Sequence, residues 1–410
     1  MERHIRCLIL LAGGAFALVL AGCGSGVDAS ADAVPEAVSA EETSEEAQDS
    51  TVEEEDPEVD DAEEQPDSDE VDEPEEAEEV EDVVEVVEFT GDALTVAGEA
   101  TAWVPGCNVG PPVTAGEGDC ESVGGFTILP VTFSSQLSGT LDGSYTQHAR
   151  YAVSPDGDYV FASVDTFVGT VGECGEGTIV FNSAGSGTFD ISEPASDIPL
   201  SSDASWISYT AVESRLSTVD AVLSSATSTG TGATSFETTG TINCGDGESV
   251  GDLVLAARPQ SSVDAAGTLD AAGTATFAVR SDCNVIPGGG SPTSCPSVDG
   301  FYVQGLNNSL TFDGALQGDV RFITANLVDS AQNWEHSGIV IFEGTIEGCG
   351  EGAAVYVNEA AGNNRQAGFF HVRSFTPQGF DSGPLGLSID TSTSISSFVR
   401  ATSEGSYSCG

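Results

Sequence analysis

Two short segments of the chain combine a thiol with a carboxylate on a glycine-rich corner. One reads Cys174-Gly175-Glu176-Gly177, and the same residue types recur 175 residues later, from Cys349 through Glu351 to Gly352. A thiolate is a nucleophile, and a carboxylate whose pKa is raised by burial can act as a general base. Glu176 and Glu351 are therefore the acidic catalytic candidates. The glycines around them favour an exposed turn in which neither glutamate does chemistry.

The other residues with catalytic potential form no consistent set. Residues 247–251 fit the G-x-S-x-G nucleophile pattern, but that motif requires a strand, a sharp elbow and a helix. Here it lies between two β-rich segments. Three histidines follow the leader, His148, His336 and His371, and they do not occupy matching positions in the duplicated parts of the chain. We therefore predict no enzymatic activity, no cofactor and no metal site.

The N-terminus has the organisation of an export signal. Arg3 and Arg6 precede an apolar run from Cys7 to Ala21, which is too short to span a bilayer comfortably. The run ends in Leu-Ala-Gly-Cys, which resembles a bacterial lipobox and implies removal of residues 1–22 and acylation of Cys23, with palmitate among the chains. The expected location is the outer face of the cell membrane, or the outer membrane in a two-membrane host. The alternative is an ordinary signal peptide with a chance cysteine.

A long acidic segment follows the leader. Residues 24–88 contain 30 Asp and Glu and no Lys or Arg, within a chain whose net charge is −57. Such a segment buries too little apolar surface to offset the entropy of ordering, so residues 23–88 are predicted to be a disordered tether. The charge excludes nucleic acid, whose phosphates require cations, and electrostatic docking on anionic lipids.

The cysteine pattern predicts a disulfide framework. Eight cysteines follow the tether, four in each duplicated part, with spacings of 13, 54 and 70 against 12, 54 and 60. An even number per domain in an exported chain is typical of disulfides, although four cysteines allow three pairings. Zinc is the rival interpretation, but no C-x-x-C is present. The pairs that we favour are Cys107–Cys120, Cys174–Cys244, Cys283–Cys295 and Cys349–Cys409.

Beyond residue 88 the sequence is typical of β-strands. Short runs such as 126–131 and 159–164 alternate apolar with polar residues, and Pro155-Asp156-Gly157-Asp158 predicts a hairpin turn. Only 209–223 has helical spacing, and its Ser and Thr content weakens that prediction. The sequence therefore predicts an all-β chain.

An internal repeat divides this β region into two domains. Cys107-Asn108-Val109 recurs as Cys283-Asn284-Val285, Gly125-Phe126 recurs as Gly300-Phe301, and the Cys-Gly-Glu-Gly corners correspond. Repetition at offsets of 175 and 176 residues indicates two copies of one fold. The predicted organisation is a first domain at 89–245, a linker at 246–267 and a second domain at 268–410.

The order of motifs within a copy resembles a known family. The segments that carry the resemblance are 98–103, Ser-Gly-Thr-Leu-Asp-Gly at 138–143, Phe-x-Gly-Thr-Val-Gly at 167–172, 177–181, 186–189 and 230–232. They resemble bacterial proteins of the allene oxide cyclase barrel-like group, especially the DUF3224-type family. The resemblance implies a closed antiparallel barrel of about eight strands in each copy. The cavity of the plant cyclases holds a fatty-acid epoxide, but no cyclase active-site residue maps onto this chain.

Together these features predict an envelope lipoprotein that displays two disulfide-braced β-barrels. Its expected role is non-catalytic, either binding a partner at the cell surface or serving a structural or accessory purpose. The alternative is a barrel that holds a small apolar ligand, with or without isomerase activity. A ligand barrel needs an open apolar lumen of a few hundred Å³, about the size of known ligand pockets, whereas a display barrel is filled by its own side chains.

Overall fold

The computed structural model describes residues 91–107, 120–189, 204–211, 215–230, 234–245, 259, 261, 263, 267–276, 295–363, 369–396 and 400–410. The leader, Cys23, the acidic tether and most of the linker lie outside these ranges. Within them the regular structure is β-strand, apart from a 3-10 turn at Gly172–Cys174, so the all-β prediction is confirmed. The helical spacing at 209–223 was misleading, because Tyr209 ends one strand and Ala221 begins another.

The first copy forms a closed antiparallel barrel. Strands β4 (Leu141–Val153) and β5 (Asp158–Val171) pair without a bulge and meet in a hairpin at the predicted turn at 155–158, where Gly157 has a φ of 92°. Neighbours in sequence pair around the ring, and β1 pairs with both β9 and β3, which closes eight strands without a free edge. The strands are β1 (Asp92–Pro105), β2 (Ser122–Val123), β3 (Phe126–Gly139), β4 (Leu141–Val153), β5 (Asp158–Val171), β6 (Gly175–Thr188), β7 (Ser205–Tyr209), β8 (Ala221–Gly230) and β9 (Ser235–Cys244).

The second copy repeats this topology as an eight-strand ring-like sheet. Strand β10 pairs with β18 on one side and with β12 on the other. Strands β12 to β15 have the lengths of β3 to β6 and lie 175 positions later. The strands are β10 (Gly267–Thr276), β11 (Ser297–Val298), β12 (Phe301–Gly314), β13 (Leu316–Val328), β14 (Asn333–Ile346), β15 (Gly350–Asn363), β16 (Phe369–Phe375), β17 (Leu387–Ser396) and β18 (Arg400–Cys409).

Glycines at corresponding positions bring neighbouring strands close together. Gly143 on β4 is paired with Gly169 on β5, and Gly318 is paired with Gly344 in the second copy. A Cβ atom on Gly169 would lie 2.8 Å from the Cα atom of Gly143, which is closer than side-chain carbons normally approach. The repeated Gly-Thr-Val and Gly-Thr-Ile segments therefore contain a glycine because two strands pass each other there without room for side chains.

The two barrels pack against each other through equivalent faces. The outer face of β5 presents Val160, Ala162 and Val164, and the outer face of β14 presents Ile339 and Ile341. All of these side chains are buried, and they belong to apolar clusters that contain residues of both copies. Because β5 and β14 occupy the same position in their barrels, the interface has the arrangement of a two-fold dimer within one chain.

Polar contacts at the margin of this interface connect the copies. Arg321 Nη2 lies 2.6 Å from Glu121 Oε1, and Asn307 Nδ2 donates to the other carboxylate oxygen of Glu121 at 3.0 Å. Thr166 Oγ1 donates to Asp299 Oδ2, also at 3.0 Å. Both barrels lie in one compact unit that spans residues 81–410. Apolar packing therefore supplies the area of contact, and these bonds fix its alignment.

The described part of the chain contains no long apolar helix of the kind that crosses a bilayer.

Candidate functional site

The duplicated Cys-Gly-Glu-Gly corners lie on the surface. Glu176 and Glu351 are exposed, and each is the second residue of its strand, after a glycine of positive φ, Gly175 at 109° and Gly350 at 98°. The sulfur of Cys174 is bonded to that of Cys244 on the last strand of the ring. The thiol and carboxylate of the corner therefore form no nucleophile–base pair in this geometry.

Three of the four favoured cysteine pairs are brought together by the fold. The Cα atoms lie 5.2 Å apart in Cys107–Cys120, 5.1 Å apart in Cys174–Cys244 and 5.6 Å apart in Cys349–Cys409, which is typical of disulfides. Cys295 is also disulfide-bonded, and its expected partner, Cys283, lies outside the described residues. The Cys174–Cys244 bond joins the start of β6 to the end of β9, and the Cys349–Cys409 bond joins the start of β15 to the end of β18.

The three histidines occupy three different environments. His148 is buried on the outer face of β4, where desolvation and the charge of Arg150 lower its pKa to about 4. His336 points into the second barrel, and burial lowers its pKa to about 4 as well. His371 is exposed. The fold therefore does not bring the histidines together into one site.

His371 forms the one serine–histidine contact in the described part of the chain. Its Nδ1 atom lies 3.0 Å from Ser394 Oγ across the β16–β17 pair. Acyl transfer also requires backbone N–H donors aimed at a developing oxyanion. Ser394 lies within a continuous ladder between β16 and β18, whose amides are committed to strand pairing. We assign this contact no catalytic role.

The most unusual group of the first barrel is a carboxyl in its interior. Asp165 is fully buried, and its Oδ2 atom accepts hydrogen bonds from Tyr145 Oη at 2.9 Å and from Ser183 Oγ. Ser183 also contacts Ser208, and Gln147 Nε2 donates to Tyr145 Oη at 3.2 Å. The Oδ1 atom of Asp165 has no hydrogen-bond partner. A polar network thus crosses an otherwise aromatic core.

Burial decides the protonation state of this network. Desolvation raises the pKa of Asp165 to about 7, although the hydrogen bonds from Ser183 and Tyr145 oppose the shift. Burial, with the charge of Asp165, also raises the pKa of Tyr145 well above its ordinary value. A carboxyl of this kind resembles a catalytic acid in its titration. A catalytic acid must in addition be within reach of a substrate.

The interior of the first barrel leaves almost no free space. Phe133, Tyr151, Phe161 and Trp206 are among the rings that fill it, and the pair Tyr159–Phe189 stacks with centroids 4.3 Å apart. A cavity beside Tyr145, Phe181, Ser208 and Thr238 has a volume of about 20 Å³. That volume accommodates about one water molecule. Asp165 is therefore part of a packed core.

The second barrel has a different interior at the corresponding positions. Strand β14 carries Val340 where β5 carries Asp165, and β13 carries Val320 where β4 carries Tyr145. Its own polar groups lie nearer the opposite end, where His336 is paired in register with Asn326. The two interiors therefore do not contain one duplicated active site.

A second charged group lies on the outer face of the second barrel near the interface. Arg373 contacts Glu359 at 3.4 Å and Asp390 at 3.2 Å, and its guanidinium lies 4.2 Å from the centre of the Phe375 ring. Desolvation lowers the pKa of Arg373, but the charges of Glu359 and Asp390 outweigh it and raise the pKa. Arg373 also donates to the carbonyl of Pro259, which fixes the end of the linker on this barrel. The group is structural.

No family model, curated protein or solved structure matches this chain. Within the described ranges, no three His, Cys, Asp or Glu side chains converge as a metal site would require.

The sequence prediction did not include Asp165 or the interface between the barrels, although one stretch of β5 carried a signal for both. The run from Tyr159 to Phe167 is apolar on both faces of a strand, which is typical of strands buried on two sides. Asp165 is the acidic residue within that run. A carboxyl in a doubly buried strand is a candidate for a perturbed pKa, and this pattern would have marked it.

Proposed function

We propose that the protein is a non-catalytic, lipid-anchored envelope protein that displays a rigid pair of β-barrels at the cell surface. Its role is to bind a surface or envelope partner, or to serve as a structural or accessory component. The acidic tether holds the pair away from the membrane. We include membership of the allene oxide cyclase barrel-like group in this proposal, because a closed eight-strand ring is the fold that the resemblance implies.

The observation that carries the proposal is the packed interior of the first barrel. A cavity of about 20 Å³ is more than tenfold smaller than the few hundred Å³ that a fatty ligand requires. Asp165, the one carboxyl among the described side chains that point into this interior, is enclosed by its neighbours. These features argue against an apolar ligand and against isomerase chemistry in this barrel.

The surface of the barrels agrees with display in water. Among the described residues, the only exposed large apolar side chains are Val104 and Val168. Surfaces without apolar patches do not associate non-specifically. We therefore expect any partner to recognise polar and acidic groups.

The anchor is tested by replacing the residue that would carry it. In a Cys23→Ala variant expressed in a bacterial host, we expect the protein to leave the membrane fraction and to lose incorporation of labelled palmitate. Cys7→Ala is the matched control, because Cys7 lies within the leader and its loss leaves the anchor intact. A Cys23→Ala protein that still fractionates with membranes would contradict the proposal.

A further inference from the structure

The interior of the second barrel contains a belt of uncharged polar side chains. Asn326 and His336 are paired in register at one level, and Thr324, Gly338 and Asn358 follow at the next level across three strands. The second level continues through Ser374 and Thr391 to Gly405. Phe322, Val340 and Tyr356 lie below the belt. Two successive levels of this barrel are therefore lined mainly by amides, hydroxyls and glycines.

The first barrel fills the upper of these two levels, that of Asn326 and His336, with aromatic rings. At the lower level it carries Ala149, Ser163 and Ser183, which are as small as the residues of the second barrel. By position in strands of equal length, Tyr151 corresponds to Asn326, and Phe161 corresponds to His336. Trp206 lies two residues before Ser208, and Val372 lies two residues before the corresponding Ser374. Three large rings are thus replaced by smaller side chains among the described residues. The same backbone ring therefore encloses less side-chain volume at the upper level of the belt.

Several polar atoms of this belt have no hydrogen-bond partner. They are Asn326 Oδ1, Asn358 Oδ1, Thr324 Oγ1 and, one level below, Asn308 Oδ1. Asn326 is 6% exposed, and Asn358 and Thr324 are each 1% exposed. A buried polar atom without a partner is costly, and native proteins normally satisfy it with water or a ligand. Three of the four atoms are amide carbonyls, so the missing partner is a hydrogen-bond donor.

The charge of the belt limits what that donor is. Every described side chain that faces this interior is uncharged, and burial keeps His336 neutral because its pKa is lowered to about 4. An ion enclosed here would have no counter-charge and would bear the full cost of desolvation. The fitting molecule is therefore neutral and rich in hydroxyl groups.

One end of the belt offers a flat aromatic surface. The rings of Trp334 and His336 are stacked, with centroids 5.4 Å apart and an angle of 15° between their planes. Gly362 lies opposite Trp334, and a Cβ atom there would be 2.6 Å from the indole ring. Trp334 is half-buried, so this end reaches the solvent.

We infer that the second barrel binds a small neutral polyhydroxyl compound, such as a polyol or a single sugar unit, in this belt. The Trp334–His336 stack receives an apolar face of the compound, and Asn326, Asn358 and Thr324 accept hydrogen bonds from its hydroxyl groups. This inference goes beyond display by giving the second copy a ligand. It does not depend on the lipid anchor.

The test uses the full mature chain purified from its own host. Native mass spectrometry should show a non-covalent mass that is lost on denaturation. After dialysis, glycerol, myo-inositol and D-glucose at millimolar concentrations are the probes. At least one should raise the thermal midpoint and change the tryptophan fluorescence in a Trp103→Phe, Trp206→Phe background. A host protein without added mass, together with no shift from any probe, would overturn the inference and leave only water in the belt.

Two kinds of variant separate binding from folding. Asn326→Leu and Asn358→Leu remove the acceptors at similar volume, and each should weaken the effective probe at least tenfold without lowering the midpoint of the ligand-free protein. The pair Asn326→Tyr and His336→Phe restores the residues of the first barrel, and it should abolish binding while keeping the fold. Wild-type affinity in the leucine variants would place the compound elsewhere and reject the site. Membrane fractionation should be unchanged throughout.

Discussion

The rings of Tyr209 and Phe375 meet edge to face, with centroids 6.1 Å apart, although they belong to different copies of the repeat. Each is the last residue of its strand, and each is paired with the eighth residue of the neighbouring strand, Asn182 in one copy and Val357 in the other. Equivalent residues thus meet across the interface, as they do in a two-fold dimer. Buried side chains of both copies therefore form a packed interface between the barrels.

Truncation of Phe375 should destabilise both barrels. The ring is fully buried, and Phe→Ala changes in cores cost about 3–5 kcal/mol. Because the first barrel loses a partner, its own unfolding midpoint in urea should also fall. We would follow Trp103 and Trp206 in a Trp334→Phe background, so that the fluorescence reports the first barrel alone.

Phe375→Leu is the matched control for this experiment. It keeps most of the apolar volume and should shift the midpoint much less. If Phe375→Ala leaves the transition of the first barrel unchanged, the barrels unfold independently and the interface contributes little.

Asp165→Asn should remove a pH dependence of stability. The folded-state pKa is raised to about 7, so the stability associated with the protonated group is fully present below about pH 4 and is lost as the pH rises through 7. Across that window the wild-type protein should lose up to about 4 kcal/mol relative to the variant, at about 1.4 kcal/mol per pKa unit. Urea unfolding at several pH values, compared between the two proteins, measures the difference.

The exposed Asp142 provides a comparison in the same barrel, and Asp142→Asn should follow the wild-type curve. Parallel curves for wild type and Asp165→Asn between about pH 4 and 8 would show that the buried carboxyl does not titrate there.

Loss of the Cys349–Cys409 bond should lower the stability of the second barrel. The bond closes a loop of 60 residues, and the chain-entropy estimate for that length is about 4 kcal/mol. The double variant Cys349→Ser, Cys409→Ser should therefore unfold at lower urea. Removal of the Cys107–Cys120 bond, with its separation of 13 residues, should cost about 3 kcal/mol. Equal stability of the Cys349/Cys409 variant and wild type under oxidising conditions would count against the bond.

Gly169→Ala should be strongly destabilising for so small a change. The added methyl would lie 2.8 Å from the Cα atom of Gly143, so the two strands must separate. We expect a loss of more than about 2 kcal/mol, the range typical of overpacking between backbone atoms. Thr170→Ala, at the exposed next position, should stay within about 0.5 kcal/mol. Similar midpoints for both variants in thermal unfolding would show that the strands have room to move.

Much of the architecture could be predicted from local signals. The strands seen by alternation, such as Phe126–Val131 and Tyr159–Val164, lie within longer strands of the structure. The hairpin at Gly157 and the repetition of short motifs were also readable, because both depend on neighbouring residues. The candidate sites were less accessible. Glu176 stood out by its motif and is exposed at the start of β6, whereas Asp165 has no motif and is a buried carboxyl.

The sequence by itself determined an all-β chain with two copies of one fold, since alternation, turn residues and repetition are properties of short segments. Only the tertiary structure decided how the copies meet and how their interiors differ. Val160 and Ile339 have the alternation of ordinary strand residues, and their burial depends on a face supplied by the other barrel. Tyr151 and Asn326 occupy the same position in the repeat, but only the closed rings show that one fills an interior and the other leaves a polar belt. Such differences arise from contacts between residues distant in sequence, which no local pattern records.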